Sequence, residues 1–232
     1  MRRFVFLVAL LLAACREPDR VEPENHDAFW LWAGVAPQPV LEHARTIYLL
    51  DGEVREGEPV RFVPLLAQPP RLERKAVWLV VRTDTLDWSE ATYARLLGDL
   101  EAWRTGNSLR GVQLDFDART RDLDRYAEFL SDFRRRLPPR YRLSITGLMD
   151  WSANGDPQAL RKLKGIVDEV VVQTYQGRGT IPGYEAYFER MRGFPIPFRA
   201  GLVEGGRWVE PPELKANPAF RGYVVFLVQP RD

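Results

Sequence analysis

Short apolar runs alternate with longer amphipathic segments along most of this 232-residue chain. Such alternation is typical of parallel strands connected by helices. The apolar runs are rich in Val, Ile, Leu, Tyr and Trp, the residue types that favour strands. Eight of them are predicted strands, at residues 29–35, 46–51, 76–82, 111–117, 142–148, 169–175, 198–203 and 223–228.

Four segments between these strands carry the apolar periodicity of helices. The first follows Ser89, a predicted N-cap, and the second ends before Pro138. The third begins at Asp156-Pro157, a cap followed by a proline at the first helical position, and the fourth ends at Gly193. Each helix therefore has a recognisable start or stop signal.

Eight strands with intervening helices predict a (β/α)8 barrel, a fold that usually takes about 250 residues. The connection between the first two strands is too short for a regular helix. Residues 51–74 are rich in proline, and we expect a hairpin there with residues 60–63 as its return strand. The prediction is a trimmed or irregular (β/α)8 TIM-like barrel, with an open parallel α/β sheet as the alternative.

The first residues have the layout of a secretory signal peptide. Arg2 and Arg3 precede an apolar run at residues 4–12, which is too short to span a bilayer because that takes about 20 residues. Residues 12–15 resemble the lipobox of bacterial lipoproteins. That resemblance implies a signal peptide at residues 1–14, a lipid on Cys15, and, from the residue after the cysteine, the periplasmic face of the outer membrane. Residues 15–27 are mostly polar and predict a lipidated flexible tether, which leaves residues 28–232 as the folded domain.

Composition narrows the classes of function. A net charge of +1 gives no field that would attract nucleic acid, so we expect no nucleic-acid partner. Cys15 is the only cysteine, and the two histidines are His26 and His43, so a His-rich metal site is excluded and a Ser-His-Asp triad is disfavoured. Gly-rich phosphate loops are also absent. We therefore expect neither a metal nor a cofactor, and the sequence leaves the oligomeric state open.

The fourth predicted strand carries the strongest chemical signal. Side chains alternate along a strand, so Gln113, Asp115 and Asp117 share one face and their apolar neighbours share the other. The apolar face must pack under helices, so the polar row points into the barrel. Two carboxylates there are costly unless they are paired, protonated or bound to a ligand. Two alternatives are local hydrogen bonding, with Asp117 capping the next helix, and a Mg²⁺ site on Asp115 and Asp117.

The sixth predicted strand repeats this pattern, with Gln173 and Tyr175 on one face. Carboxylates and aromatic rings follow other strands, and this combination suits a sugar, because rings pack on pyranose faces and acids handle acetal chemistry. The residues expected to contact the saccharide are Gln113, Gln173, Asp87, Trp88, Trp151 and Trp208, with Trp32 nearby on the first strand.

Two resemblances bear on these motifs. The Gln113-x-Asp115-x-Asp117 run and the Gln173-Thr174-Tyr175 run resemble a family of bacterial lipoproteins known as DUF3142, a domain of unknown function. This similarity is expected to cover nearly all of the mature chain. More distantly, the same strands are similar to family 18 glycoside hydrolases, the chitinase-like barrels.

The glycoside hydrolase resemblance assigns roles residue by residue. Asp115 matches the middle aspartate of the family motif, Asp117 the general-acid glutamate, and Tyr175 the tyrosine of strand six. The chain departs from the motif where Gln113 replaces the first aspartate and Gln176 replaces the aspartate after the tyrosine. Asp117 is also one methylene shorter than glutamate, and a displacement of about 1 Å can cost roughly 100-fold in rate.

Three hypotheses follow. The first is a membrane-anchored glycoside hydrolase-like protein acting on an envelope or environmental polysaccharide. In that case Asp117 is the general acid, Asp115 positions it or stabilises charge, and Tyr175 orients the substrate. The second is a saccharide-binding protein on an inactive barrel, and the third is a structural envelope lipoprotein.

Overall fold

The computed structural model describes residues 19–32, 34–118 and 122–229. Eight parallel strands close into a barrel, with the neighbours in the order β1, β2, β4, β5, β6, β7, β10, β11 and back to β1. The bounds are β1 Ala28–Leu31, β2 Thr46–Arg55, β3 Arg61–Pro64, β4 Ala76–Thr83, β5 Ser108–Asp115, β6 Arg142–Leu148, β7 Glu169–Gln173, β8 Tyr175–Gln176, β9 Gly179–Thr180, β10 Phe198–Val203 and β11 Phe220–Phe226. The closed barrel is confirmed, and the open sheet is excluded because β1 pairs with both β2 and β11.

Helices cover most of the barrel wall. They are α1 Glu90–Arg104, α2 Leu123–Arg136, α3 Met149–Asn154, α4 Pro157–Leu163, α5 Tyr184–Arg190 and α6 Pro212–Ala216. The predicted caps are confirmed, since Ser89 Oγ accepts from Thr92 N at 3.2 Å and Asp156 Oδ1 accepts from Gln158 N at 3.0 Å. Helix α3 was not predicted, because its residues directly follow a strand and their polar character was interpreted as the end of that strand.

The barrel is trimmed where the sequence predicted. A short 3-10 helix, Pro39–His43, replaces the helix between β1 and β2, and the hairpin β2–β3 occupies the next connection. An apolar groove of about 850 Å³ therefore remains on the outer face of β1 and β2, lined by residues such as Leu31, Ile47 and Leu49. Because these side chains point outward from the barrel wall, the groove is separate from the barrel interior.

The segment at residues 19–27 corrects the predicted tether. Val21 is only 4% exposed and belongs to the core. Its backbone N–H donates to Gly206 O, and its carbonyl accepts from Gly205 N, both at 2.9 Å. Composition alone predicted flexibility here, but one buried valine and a short bridge to the loop after β10 hold the segment on the barrel. Cys15 and the signal-peptide prediction lie outside the described residues.

Two separate cores form. One lies between the barrel wall and the helices and includes the outward-facing Val112 and Leu114 of β5. The other fills the barrel interior and includes Trp30, Tyr48 and Trp78. The predicted alternation along β5 is therefore confirmed: the apolar face packs outward, and the Gln-Asp face points into the barrel.

A buried ion pair lies in the interior near the N-terminal ends of the strands. Arg199 Nε donates to Glu169 Oε2 at 2.8 Å, and Tyr48 Oη donates to Glu169 Oε1 at 2.6 Å. These contacts satisfy Glu169, which would be costly to bury alone. Within the part of the chain that the structure describes, no helix has the length and apolar character needed to cross a bilayer.

Candidate active site

The C-terminal ends of the eight parallel strands meet at one face of the barrel, which we call the mouth. In barrels of this architecture the mouth is where active sites lie. The polar and aromatic residues that gather there come from almost every strand: Trp32 after β1, Arg82 on β4, Asp115 on β5, Thr146 on β6, Gln173 on β7, Tyr175 on β8 and Phe226 on β11.

Asp115 is the most strongly perturbed carboxyl group at the mouth. Its side chain lies at the end of β5 and the residue is 7% exposed, with Thr146 Oγ1 donating to Oδ1 at 2.8 Å. The pKa of Asp115 is raised to about 6, chiefly by burial and to a lesser extent by the nearby Asp117, while Thr146 and Arg82 act in the opposite direction. A carboxyl group with this pKa exchanges its proton near neutral pH, as a general acid or base requires.

Tyr175 lies beside Asp115. Burial raises the pKa of its hydroxyl well above the usual range, and the charge of Asp115 adds to that shift. The ring stacks on Phe226 with 5.5 Å between centroids and 18° between planes. Tyr175 therefore stays protonated at any physiological pH and offers a neutral hydroxyl next to the carboxylate.

A small pocket of about 200 Å³ opens next to Asp115. It is lined by Arg82, Thr83, Asp84, Asp115, Phe116 and Asp117. Asp117 is exposed at the rim of this pocket. The two aspartates that were predicted to share one strand face therefore do line one pocket, but at different depths. The deeper carboxyl group is Asp115.

Arg82 was missed in the sequence. It follows Trp78 and Val80 on the inward face of β4, and this alternation was the signal that could have found it. Its guanidinium carbon lies 5.4 Å from the ring centroid of Trp32, and its Nε lies 4.0 Å from Asp84 Oδ1. Arg82 is the cation that faces the acidic side of the pocket.

Gln113 lies deeper than the sequence suggested. The residue is fully buried, and its Nε2 donates to Ser144 Oγ at 2.9 Å. Its Oε1 has no hydrogen-bond partner among the described residues. The predicted direct contact with a saccharide is therefore corrected: Gln113 supports the interior from below. Gln173, in contrast, is half-buried at the mouth.

The side chains of the three predicted stacking tryptophans do not line the pocket at the mouth. Trp88 is buried between the barrel and the helices, with its Nε1 bonded to Thr83 Oγ1 at 3.0 Å. Trp151 is fully buried on α3, and Trp208 packs on Tyr184 at 4.5 Å between centroids. The rings of Trp88 and Trp151 fill the core and the ring of Trp208 packs against it, so the structure does not bring these three rings to the pocket as expected.

Asp87 also lies away from the pocket. Its carboxylate is exposed and accepts from Arg125 Nη2 at 2.8 Å. The aromatic rings that do lie at the mouth are Trp32, Phe226 and Tyr175, with Trp32 and Phe226 6.1 Å apart in an edge-on arrangement. Phe226 was missed because an apolar residue near the end of a strand looks the same in the sequence whether it lines a core or a pocket.

Metal ligands do not converge at the mouth. Across residues 19–32, 34–118 and 122–229, no group of three His, Cys, Asp or Glu side chains is placed to hold an ion. The Mg²⁺ alternative for Asp115 and Asp117 thus gains no support from the geometry.

A closed parallel barrel with a carboxyl group and aromatic rings at its mouth has the architecture of the chitinase-like barrels, and solved structures confirm this at the level of fold. The Bacillus cereus spore cortex-lytic enzyme SleL aligns with a TM-score of 0.55 and 16% identity, over 76% of this chain and 49% of that chain. The chitinase domain of the Clostridium difficile spore coat protein CotE aligns with a TM-score of 0.52 and 14% identity, over 82% of this chain and 67% of that chain. This chain spans about half the length of SleL.

The sequence family is matched over the central part of the chain. Residues 75–183 match the family described as Domain of unknown function (DUF3142), which confirms the resemblance over just under half of the chain rather than over nearly all of it. This segment runs from β4 to the end of β9 and contains Arg82, Asp115 and Tyr175. The comparison with curated proteins produced no match.

The same fold also occurs in a protein described as an inhibitor. The xylanase-alpha-amylase inhibitor protein XAIP-I, solved with trehalose, aligns with a TM-score of 0.55 and 13% identity, over 86% of this chain and 92% of that chain. The architecture is therefore shared by proteins described as enzymes and by one described as an inhibitor. Function must be argued from the site, because a fold does not imply an activity.

Proposed function

We propose that this protein is a glycoside hydrolase-like protein that acts on an envelope or environmental polysaccharide. The observation that carries the proposal is the pair Asp115 and Asp117 on one pocket, with Asp115 buried and its pKa raised to about 6. Glycoside hydrolysis commonly uses two carboxyl groups in different environments, and this pocket offers one buried carboxyl group and one exposed at the rim.

The proposed roles follow from depth and charge. Asp117, exposed at the rim, donates the proton to the leaving oxygen as general acid. Asp115 lies deeper and stabilises the positive charge that develops on the sugar. The neutral hydroxyl of Tyr175 and the amide of Gln173 orient the substrate, and Trp32 and Phe226 offer ring surface in place of the three core tryptophans.

The test is hydrolysis of defined saccharides by the purified domain. Fragments of chitin, peptidoglycan and exopolysaccharide are incubated with wild type, Asp117→Asn and Asp115→Asn, and new reducing ends are counted. Asp87→Asn is the matched control, because Asp87 is an exposed carboxylate outside the pocket that pairs with Arg125. We expect release by wild type and the control, and at least about 100-fold less by the two pocket variants. Equal release by Asp117→Asn would reject its role as the acid.

A second candidate is a saccharide-binding protein without turnover. It is favoured by Asp117, because this residue is exposed and its side chain is one methylene shorter than the general-acid glutamate of the family 18 glycoside hydrolases. Titration calorimetry with the same fragments separates the two. Saturable binding without new reducing ends, weakened by Trp32→Ala, supports the binding protein.

We further infer that Cys15 carries lipid and holds the barrel at the outer membrane. The support is the layout of residues 2–15 and the single cysteine. Lipid adds about 0.8 kcal/mol of membrane affinity per buried methylene, and two or more acyl chains make a stable anchor. Cys15→Ala should move the protein from the membrane fraction to the soluble fraction and abolish labelling with a radioactive fatty acid.

A further inference from the structure

The first described residues of the chain are fixed at the mouth of the barrel. Asp19 O accepts from Trp208 N at 2.6 Å, and Arg20 Nη1 donates to Gly205 O at 2.9 Å. Val21 is bonded to Gly205 and Gly206. These partners form the loop that follows the C-terminal end of β10, so the chain meets the barrel at the same face as Asp115.

Little chain separates this point from Cys15. Only Arg16, Glu17 and Pro18 lie between Cys15 and Asp19. Four extended Cα–Cα steps reach at most about 14 Å. Had residues 15–27 formed one flexible tether ending at β1, the chain would have joined the barrel at its opposite end and with much longer reach.

The pocket lies close to the same point. On the barrel wall, β5 is three strands from β10, by way of β6 and β7. Strands lie about 4.8 Å apart, so the two strand ends are within about 14 Å of each other. The pocket therefore lies on the same face of the barrel as the loop to which the first described residues are bonded.

Accepting the proposed lipid on Cys15, we infer that the mouth faces the membrane to which the protein is anchored and that its ligand is a saccharide linked to lipid in that membrane. The bilayer meets the barrel near β10. Because β5 is three strands away, the Asp115 pocket lies at the opening between protein and membrane rather than against lipid. A saccharide held in the same membrane reaches this opening at high effective concentration. A polymer that is not attached to this membrane must instead approach from the side of the barrel that faces away from the bilayer.

Energy transfer to the membrane tests the orientation. A Cys introduced at Gln176, exposed at the mouth, is compared with one at Arg142, exposed at the start of β6 and thus at the opposite end. With Cys15 lipidated, each is the only free thiol and takes a single fluorescent donor. The lipidated full chain is placed in vesicles whose surface carries an acceptor lipid.

We expect the donor at position 176 to be quenched about twofold or more relative to position 142, since a seven-residue strand separates them by roughly 20 Å. A 20-residue Gly/Ser insertion between Pro18 and Asp19 adds a mean reach of about 25 Å and should remove most of this difference. Equal or reversed quenching in the chain without the insertion overturns the orientation.

The ligand class is tested with one probe in two forms. A chito-oligosaccharide attached to a vesicle lipid is compared with the same oligosaccharide free in solution. We expect at least tenfold stronger binding of the lipid-linked form, with the preference lost in the Gly/Ser insertion. Equal binding of both forms overturns the inferred ligand class.

These experiments separate this inference from the proposals on which it rests. A lipidated preparation that leaves the vesicles rejects the anchor and, with it, the orientation. A chain that stays on vesicles with the expected quenching but binds neither form of the probe keeps the orientation and rejects the ligand class. Hydrolysis of soluble fragments by the isolated domain reports on the pocket chemistry alone.

Discussion

Replacing Asp115 by asparagine should stabilise this protein at neutral pH. The side chain is nearly fully buried and its pKa is raised from 3.8 to about 6, so the folded state holds its proton more tightly than the unfolded state does. Asparagine has the same shape, carries no charge at any pH, and keeps an oxygen that can accept from Thr146 Oγ1. The variant therefore removes the cost of ionising a buried group.

The size of the effect follows from the two pKa values. A raised pKa in the folded state means that stability falls as pH rises from about 4 to about 6, and that the full cost is present above pH 6. A difference of roughly two pKa units corresponds to about 3 kcal/mol at pH 7.5 and about 1 kcal/mol at pH 4.5. Well below pH 4 Asp115 is protonated in both the folded and the unfolded state, so the difference in stability between the variant and the wild type should approach zero.

Urea denaturation measures this difference. Tryptophan fluorescence follows unfolding at pH 4.5, 6.0 and 7.5, and the wild-type free energy of unfolding is subtracted from that of the variant, which cancels all other titrating groups. In heating experiments about 3 kcal/mol corresponds to roughly 6–12 °C in Tm for a domain of this size. Asp87→Asn, an exposed carboxylate on an ion pair, is the control and should show no gain. An Asp115→Asn gain that is absent, or that does not grow with pH, would refute the reasoning.

Further variants test the packing around the site. Gly111→Ala should be strongly destabilising, because its Cβ would lie 1.9 Å from Arg142 O, whereas Gly98→Ala on the exposed side of α1 meets nothing within 4 Å and should add about 1 kcal/mol in the same urea assay. Glu169→Ala removes the carboxylate partner of the partly buried Arg199 and should cost about 1–3 kcal/mol; a loss below about 0.5 kcal/mol would contradict the ion pair's role. Trp88→Ala should lower the free energy of unfolding by about 3–5 kcal/mol and leave the saccharide affinity of the folded fraction unchanged. Trp32→Ala should weaken saccharide affinity and leave the free energy of unfolding nearly unchanged. Thermal melts measure the stability and calorimetry measures the affinity.

The fold could be predicted because its signals are local. Each barrel strand is an apolar run bounded by turns, and the caps at Ser89 and Asp156 mark the helices without reference to the rest of the chain. The trimming was also visible, since a chain segment too short for a helix cannot form one. The first and fourth predicted strands were extended past Leu31 and Asp115, where β1 and β5 end, because residues with apolar side chains such as Trp32 and Phe116 follow directly.

The site was only partly predictable, because its composition depends on which strands meet. Alternation placed Asp115 inside the barrel, but it could not tell that Thr146 would bond to it or that Arg82 would line its pocket. The positions of the aromatic residues could not be predicted for the same reason. Trp88 and Trp151 follow strands just as Trp32 does, and only the three-dimensional course of the chain separates rings in the core from rings at the mouth.

The depth of the two aspartates changes how the pair is understood. The resemblance assigns the proton to Asp117, but a tuned pKa needs burial, and of the two aspartates on the pocket the buried one is Asp115. A protein selected only for stability would gain by replacing it, since neutralising Asp115 removes an unfavourable term of about 3 kcal/mol at pH 7.5. Thr146 and Arg82 ease that cost without removing it. A buried carboxyl group at the mouth, next to a protonated tyrosine and an open pocket, is the arrangement expected where a ligand or a reaction uses the group.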